Sequence, residues 1–124
     1  MKTMAKYKIN EGESKVVNGR KVYRIYATKS FRLANGVKVN KFERGGWIES
    51  GNNLAQDGKC WVSGNAIVFG NASVFGNAVI NGAAKVLDNA QVSGNVRVLE
   101  LAMVGGNSVL SGNEIIYGDT RVSA

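Results

Sequence analysis

Residues 64–75 read GNAIVFGNASVF, two successive copies of a six-residue repeat that continues without a gap from Gly58 to Ser123. Eleven copies fill that stretch. The fifth position is aliphatic in every copy, and the first is Gly in nine of the eleven, with Asp88 and Glu100 as the exceptions. A fixed short period of this kind indicates a solenoid, in which each repeat buries its apolar face against its neighbours.

The spacing within one repeat predicts how the chain runs. Positions three and five are two residues apart and hold small and aliphatic side chains, so in a strand both point to the same, inward side. Positions four and six then point outward. Gly-Asn supplies the turn, because Gly has no Cβ and Asn tolerates the left-handed region. Short strands joined by sharp turns predict triangular coils of parallel β-structure, since valines every six residues fit no helical period.

The repeats resemble the left-handed β-helix, or hexapeptide-repeat, superfamily, in which three repeats form one coil. That resemblance implies a little under four coils, stacked about 4.8 Å apart. The whole chain is similar to a group of phage and prophage hexapeptide proteins, including the YdcK-like ones. These open with a short β-domain that closes on a segment matching Gly45-Gly46-Trp47-Ile48-Glu49. The acidic turn usual before the Gly pair in that group is replaced here by Phe42-Glu43-Arg44.

The expected fold is therefore all-β. A left-handed parallel β-helix of about four triangular coils should occupy residues 51–124, and a small basic β-hairpin unit over residues 1–50 should cap it. Asn18-Gly19 lies between two β-rich runs and predicts the turn of that hairpin. Asn35-Gly36 predicts a second turn. A solenoid needs such a cap because an open end exposes its apolar interior.

The positive charge is concentrated in the predicted cap. Residues 1–50 hold twelve Lys and Arg against four Asp and Glu, a net +8, whereas residues 51–124 hold four against five, a net −1. This asymmetry predicts an acidic protein surface or a nucleic acid as the partner. Arg24 and Lys38 are expected to be replaceable without harm to the fold. The predicted partner-binding residues are Lys21, Arg24, Lys29, Arg32, Lys38, Lys41 and Arg44.

Outward positions eighteen residues apart should stack into columns, and two of the three walls carry many apolar side chains. Contiguous exposed apolar area is typical of an interface. Self-association as a dimer or trimer is one interpretation; a second is that the cap folds back over part of the walls, and a third is a foreign protein or ligand. The predicted interface residues are Trp61, Ile67, Phe69, Val79, Leu87, Leu99, Met103, Ile115 and Tyr117.

Catalysis is not expected, because the sequence contains no histidine. The β-helix acyltransferases and zinc carbonic anhydrases that the repeats resemble depend on histidine, as a base or as metal ligands. No other side chain titrates near neutrality unperturbed, and no Asp, Glu or Cys cluster has metal-ligand spacing. We therefore expect no metal and no cofactor. Cys60 occupies an inward position and is predicted to be a buried, unreactive thiol. Glu114 also falls inward, and is either exposed by fraying or a functional carboxylate.

The chain is expected in the cytoplasm of a bacterial host, with no membrane partner. Residues 1–6 lack the apolar core of a signal peptide, and no apolar run reaches membrane-spanning length. A single cysteine fits a reducing compartment.

The leading functional hypothesis is a non-catalytic, phage- or prophage-encoded binding protein. It would inhibit or sequester a host protein or protein–nucleic-acid complex, such as a CRISPR-type defence component. One alternative is direct nucleic-acid binding, with Tyr23, Tyr26 or Phe31 stacking on bases. A structural component of the virion and capture of a nucleotide signal are the others.

Overall fold

The computed structural model of the protein describes residues 5–124, and the first four residues, which entered the expectation on a leader sequence, lie outside that range. Within it the regular structure is β apart from one 3₁₀ turn, Gly51–Asn53. No helix in this part of the chain is long and apolar enough to cross a membrane.

Each of the eleven repeats contributes one short strand, as the repeat pattern predicts. Strands eighteen residues apart pair in parallel, so Gln91 lies between Ser73 and Val109. Three repeats therefore make one turn, and the chain forms a parallel β-solenoid of about four turns. The strands are β6 (Trp61–Val62), β7 (Ile67–Val68), β8 (Ser73–Val74), β9 (Val79–Ile80), β10 (Lys85–Val86), β11 (Gln91–Val92), β12 (Arg97–Val98), β13 (Met103–Gly105), β14 (Val109–Leu110), β15 (Ile115–Ile116) and β16 (Arg121–Ser123).

The interior is built from the third and fifth positions of the repeats. From Cys60 to Val104 every side chain at these positions is buried. The turns between strands require the left-handed region, and every Gly at the first position has a positive φ, from 61° at Gly106 to 88° at Gly112. Asp88 and Glu100 adopt the same conformation, with φ of 59° and 61°. The two exceptions to the glycine pattern thus keep the turn and carry its steric cost.

Asparagine side chains at the second position form ladders along the corners of the solenoid. The Asn71 Nδ2 donates to Asn89 Oδ1 at 3.2 Å, and Asn89 donates in turn to Asn107 at 3.1 Å. Another corner carries the same arrangement from Asn77 to Asn95, at 3.3 Å. These bonds join successive turns outside the backbone ladder.

The cap begins with the predicted hairpin. Strands β1 (Tyr7–Val17) and β2 (Arg20–Ala27) pair antiparallel, and their turn residues Asn18 and Gly19 have φ of 52° and 76°. Strand β2 pairs antiparallel with β5 (Arg44–Ile48), which pairs in parallel with β7. The cap therefore continues one wall of the solenoid as a seven-stranded sheet in the order β1-β2-β5-β7-β10-β13-β16.

Gly45 and Gly46 explain how closely the cap approaches the solenoid. A Cβ at Gly46 would lie 2.6 Å from both the Ala66 carbonyl oxygen and a Val62 methyl carbon. A Cβ at Gly45 would lie 2.7 Å from the Val62 carbonyl oxygen. Because no side chain fits there, β5 packs its backbone directly against the first turn.

The end of that segment fixes the junction by polar contacts. The Glu49 carboxylate accepts a hydrogen bond from the Gly70 N–H at 2.8 Å and pairs with Arg20 at 3.0 Å. The Asn53 side chain donates to the Ala72 carbonyl at 2.8 Å. The Gly-Gly-Trp-Ile-Glu segment is thus the connection between cap and solenoid.

Candidate functional site: a basic lobe on the cap

A short hairpin over residues 28–43, which we call the basic lobe, projects between β2 and β5. Its strands β3 (Phe31–Arg32) and β4 (Lys38–Val39) pair antiparallel. The turn between them is closed by hydrogen bonds from the Gly36 N–H to the Leu33 carbonyl and from the Leu33 N–H to the Val37 carbonyl, both 2.9 Å. Gly36 has a φ of 88°, which confirms the second predicted turn.

One face of the basic lobe packs against the solenoid. Leu33 and Val39 are buried and belong to the main apolar core. The Phe31 ring lies edge-on to the Trp61 indole, with ring centroids 5.3 Å apart and an interplanar angle of 76°. Trp61 is consequently fully buried although its repeat position points outward. Phe31 is committed to this packing and is not placed to stack on a base.

The other face of the basic lobe carries an unusual cross-strand pair. Arg32 and Lys38 are directly opposite each other in the β3–β4 ladder, and both are exposed. Like charges in this arrangement destabilise a sheet. Arg32 donates to the Gly36 carbonyl at 3.0 Å, and neither side chain has an ion-pair partner among residues 5–124. The pair is therefore a site of uncompensated positive charge, suited to an anionic group.

Two more lysines extend this positive surface. Lys29 precedes β3, and the Lys41 backbone N–H donates to Ser30 Oγ at 3.0 Å, which brings the two ends of the basic lobe together. The Lys41 ammonium lies 5.1 Å from the centre of the Phe42 ring. The one carboxylate of the basic lobe, Glu43, bonds its own turn, accepting from the Asn40 N–H at 3.1 Å.

Arg24 and Arg44 are held by the protein itself. Arg44 forms an ion pair with Glu13, and its hydrogen bond lowers the pKa of the Glu13 carboxyl. Arg24 donates to the carbonyls of Gly45 at 3.0 Å and Gly64 at 2.9 Å. Its guanidinium also lies over the indole ring of Trp47 in β5, 4.4 Å from the ring centre. Arg24 therefore ties the cap to the first turns, and these contacts favour a loss of stability on its replacement, contrary to the expectation from the sequence.

Lys21 is separate from the basic lobe. It lies near the start of β2, beside the hairpin turn, with its ammonium 5.6 Å from the Tyr23 ring. The basic lobe follows the other end of β2 at Ala27. At about 3.3 Å per strand residue, the two are roughly 20 Å apart. Of the seven predicted partner-binding residues, the structure brings together four: Lys29, Arg32, Lys38 and Lys41.

The predicted apolar walls are partly covered by the cap. The outward columns have the expected register, with Trp61 beside Val79 and Lys85 between Ile67 and Met103. Four of the nine predicted interface residues are nevertheless buried within the chain, so their expected exposure is wrong: Trp61, Ile67, Phe69 and Val79.

Two parts of the cap cover these four side chains. Trp61 and Val79 belong to the core that the basic lobe enters. Ile67 and Phe69 form a second cluster with Val22 of β2 and Trp47 of β5. The other five predicted interface residues are partly or largely exposed and lie on later turns: Leu87, Leu99, Met103, Ile115 and Tyr117.

Sequence reasoning missed Lys6, which is 1% exposed. Its ammonium donates to the Cys60 carbonyl at 2.6 Å and contacts the Cys60 sulfur at 3.3 Å. Burial lowers the pKa of this lysine. Cys60 is fully buried, as predicted, and the lysine fastens the start of β1 to the first turn. A cation separated from its partner by 54 residues leaves no local signal in the sequence.

The remaining polar features lie outside the basic lobe. Glu114 is exposed, so its inward repeat position does not bury a carboxylate. A groove of about 410 Å³ follows one corner of the solenoid and is lined by Arg20, Asp88 and an asparagine ladder. No group of three or more Cys, Asp or Glu side chains that could hold a metal ion occurs between residues 5 and 124.

No family model matches the chain, and no curated protein matches its sequence.

Proposed function

We propose that this protein works by binding rather than by catalysis, and that the basic lobe holds the acidic surface of a partner protein. The observation that carries the proposal is the Arg32–Lys38 pair, two exposed cations directly opposite each other that lack an ion-pair partner in the described part of the chain. Such a pair costs stability in the free protein and is compensated when carboxylates lie between the two side chains.

The rest of the molecule supports a scaffold role for the solenoid. Its interior is filled by small and aliphatic side chains, and its residues carry no excess of positive charge. Binding energy would come from a preformed hairpin on a rigid base, which reduces the entropy lost on association. The absence of histidine from the sequence supports binding over acid–base chemistry.

The resemblance to phage and prophage hexapeptide proteins supports the finer part of the proposal. It rests on the six-residue repeat and on Gly45–Glu49, which here connects cap and solenoid. On that basis the partner is a host macromolecule in the bacterial cytoplasm. A nuclease or a CRISPR-type effector fits, and the protein would inhibit it by occupying its surface.

Direct nucleic-acid binding through the cap is supported less well. Of the three aromatic residues expected to stack on bases, Phe31 packs on Trp61, and Tyr23 and Tyr26 are half-buried. Stacking platforms for single strands present their rings along a groove. Arg32 and Lys38 instead lie opposite each other on a two-stranded hairpin.

Poly-L-glutamate is a suitable probe for this proposal. It should bind the wild-type protein, with an affinity that falls as salt rises. Reversing the pair together, Arg32→Glu with Lys38→Glu, should weaken binding by about tenfold or more. The matched control, Lys59→Glu with Lys85→Glu on the solenoid, should retain wild-type affinity. Binding that survives in the lobe variant and disappears in the control would place the functional surface on the solenoid.

A further inference from the structure

Phe42 has a backbone conformation that its side chain disfavours. Its φ is 71°, in the left-handed region that bulky residues rarely adopt. Among residues 5–124 three other non-glycine residues share a positive φ, and each has a local reason. Asn18 lies in the first hairpin turn, while Asp88 and Glu100 occupy the glycine position of the repeat. Phe42 has neither explanation.

The surrounding backbone holds Phe42 in this conformation. Its N–H donates to the Ala27 carbonyl at 2.8 Å, and the next N–H, of Glu43, donates to the Asn40 carbonyl at 3.0 Å. On the other side, the Lys41 N–H is bonded to a serine hydroxyl of the basic lobe. Strain of this kind persists only where neighbouring contacts determine the geometry, and it is found most often at functional sites.

The strained backbone directs an aromatic ring to the outside. Phe42 is 68% exposed, although it lies in a turn where glycine would be favoured. Its immediate neighbour Lys41 places an ammonium 5.1 Å from the ring centre, and Val37 of the same basic lobe is also exposed. An exposed aromatic side chain beside a cation, on a backbone held by hydrogen bonds, has the features of a binding hot spot.

We propose that Phe42 is the anchor of the basic lobe: it inserts between apolar side chains of an acidic protein segment while Arg32, Lys38 and Lys41 bind the carboxylates around it. This inference rests on the proposed function and specifies its partner as a segment that is both acidic and apolar. Charge complementarity selects this occupant.

Two polypeptide probes distinguish the contribution of Phe42 to binding from that of the surrounding cations. Poly-L-glutamate offers carboxylates alone, whereas a random copolymer of glutamate and tyrosine offers carboxylates together with apolar rings. The wild-type protein should bind the copolymer about tenfold more tightly than polyglutamate at equal salt. The Phe42→Gly variant should lose this difference while it retains wild-type affinity for polyglutamate.

A thermal melt gives the second readout. Phe42→Gly should melt at a higher temperature than wild type, because glycine relieves the strain at positive φ. A ring with a purely structural role would show the reverse, a lower melting temperature and unchanged binding. Phe75→Ala is the control, since Phe75 is 40% exposed on the solenoid wall, and it should leave the preference for the copolymer intact.

The outcomes distinguish the two proposals. Polyglutamate binding by the basic lobe combined with an unchanged copolymer preference in Phe42→Gly would overturn the anchor and leave the proposed function standing. A wild-type protein that binds neither polypeptide would overturn both. If Phe42→Gly lowers affinity for an oligothymidine strand and not for the copolymer, the ring serves a nucleic acid and the anchor assignment is wrong. A native mass that halves in Phe42→Gly would assign the ring to a contact between two copies and would equally contradict it.

Discussion

The solenoid and the cap of this protein reach stability in opposite ways. In the solenoid each residue pairs with its equivalent eighteen positions away, as Val92 does with Val74 and Leu110. Every turn therefore repeats the same contacts. In the cap the contacts are not repeated, and several join distant residues, as Lys6 does with Cys60. The repeated contacts of the solenoid form a regular base without net positive charge. The irregular contacts of the cap form a surface that carries the Arg32–Lys38 cation pair and the strained residue Phe42.

The largest effect should follow from a charge in the repeated interior. Val92 is fully buried, so Val92→Asp would place an unpaired carboxylate in a dry core and should unfold the protein. The outward neighbour Gln91→Asp should change stability by no more than about 0.5 kcal/mol. Thermal unfolding followed by circular dichroism measures both, and equal melting temperatures for the two variants would show that the inward register is wrong.

A smaller loss should follow at the boundary between the two regions. Gly46→Ala should destabilise the protein by about 1–3 kcal/mol, because the new methyl group would lie 2.6 Å from backbone and side-chain atoms of the first turn. Gly51→Ala is the matched control, since a Cβ there meets nothing within 4 Å. Urea unfolding measures the free energy of unfolding of the two variants. A Gly46→Ala variant as stable as the control would mean that the cap does not pack directly on the solenoid.

Alkaline pH should weaken the cap through Tyr7. Its hydroxyl donates to the Leu54 carbonyl at 2.6 Å, and burial raises its pKa from 10.0 to about 12. Because the folded state favours the neutral phenol, this contribution to stability is complete below pH 10 and is lost as the pH rises towards 12. Tyr7→Phe should therefore show a shallower loss of stability over that interval. The exposed Tyr117→Phe should follow the wild-type curve, and identical profiles for both variants would remove Tyr7 as the cause.

The smallest expected change is an increase in stability. Glu100 has a φ of 61° at a position where most repeats have glycine, so Glu100→Gly should stabilise the solenoid by about 0.5–1 kcal/mol. Leu101→Gly, in the same turn without a positive φ, should destabilise it by a similar amount. The urea concentrations at the denaturation midpoints of the two variants and of the wild type measure these changes. A loss of stability in Glu100→Gly would mean that its side chain contributes more than the strain costs.

The repeat made the solenoid predictable from sequence because its determinants are local. The inward register and the burial of Cys60 follow from the spacing of small, aliphatic and glycine residues, whereas the three-repeat turn was implied by the resemblance to hexapeptide-repeat proteins; all three are confirmed. The Asn18-Gly19 hairpin turn was predictable for the same reason.

The coverage of the solenoid walls could not be predicted this way. Trp61 and Phe69 have the correct outward register, but whether they stay exposed depends on where the cap folds, and no local pattern encodes that. The same holds for the bond from Arg24 to Gly64, which spans 40 residues. The candidate site was therefore only partly predictable: composition located the charge in the cap, whereas its division into held and free cations depends on tertiary contacts.

The central claim is that the cap binds and the solenoid supports it, and lysine footprinting on the wild-type protein tests it most directly. The protein is acetylated briefly with and without the glutamate–tyrosine copolymer, and the rate at each lysine is read by mass spectrometry. Lys29, Lys38 and Lys41 should be modified several-fold more slowly when the copolymer is present, while Lys59 and Lys85 should react at unchanged rates. Protection of Lys59 and Lys85 with no protection in the basic lobe would contradict the account.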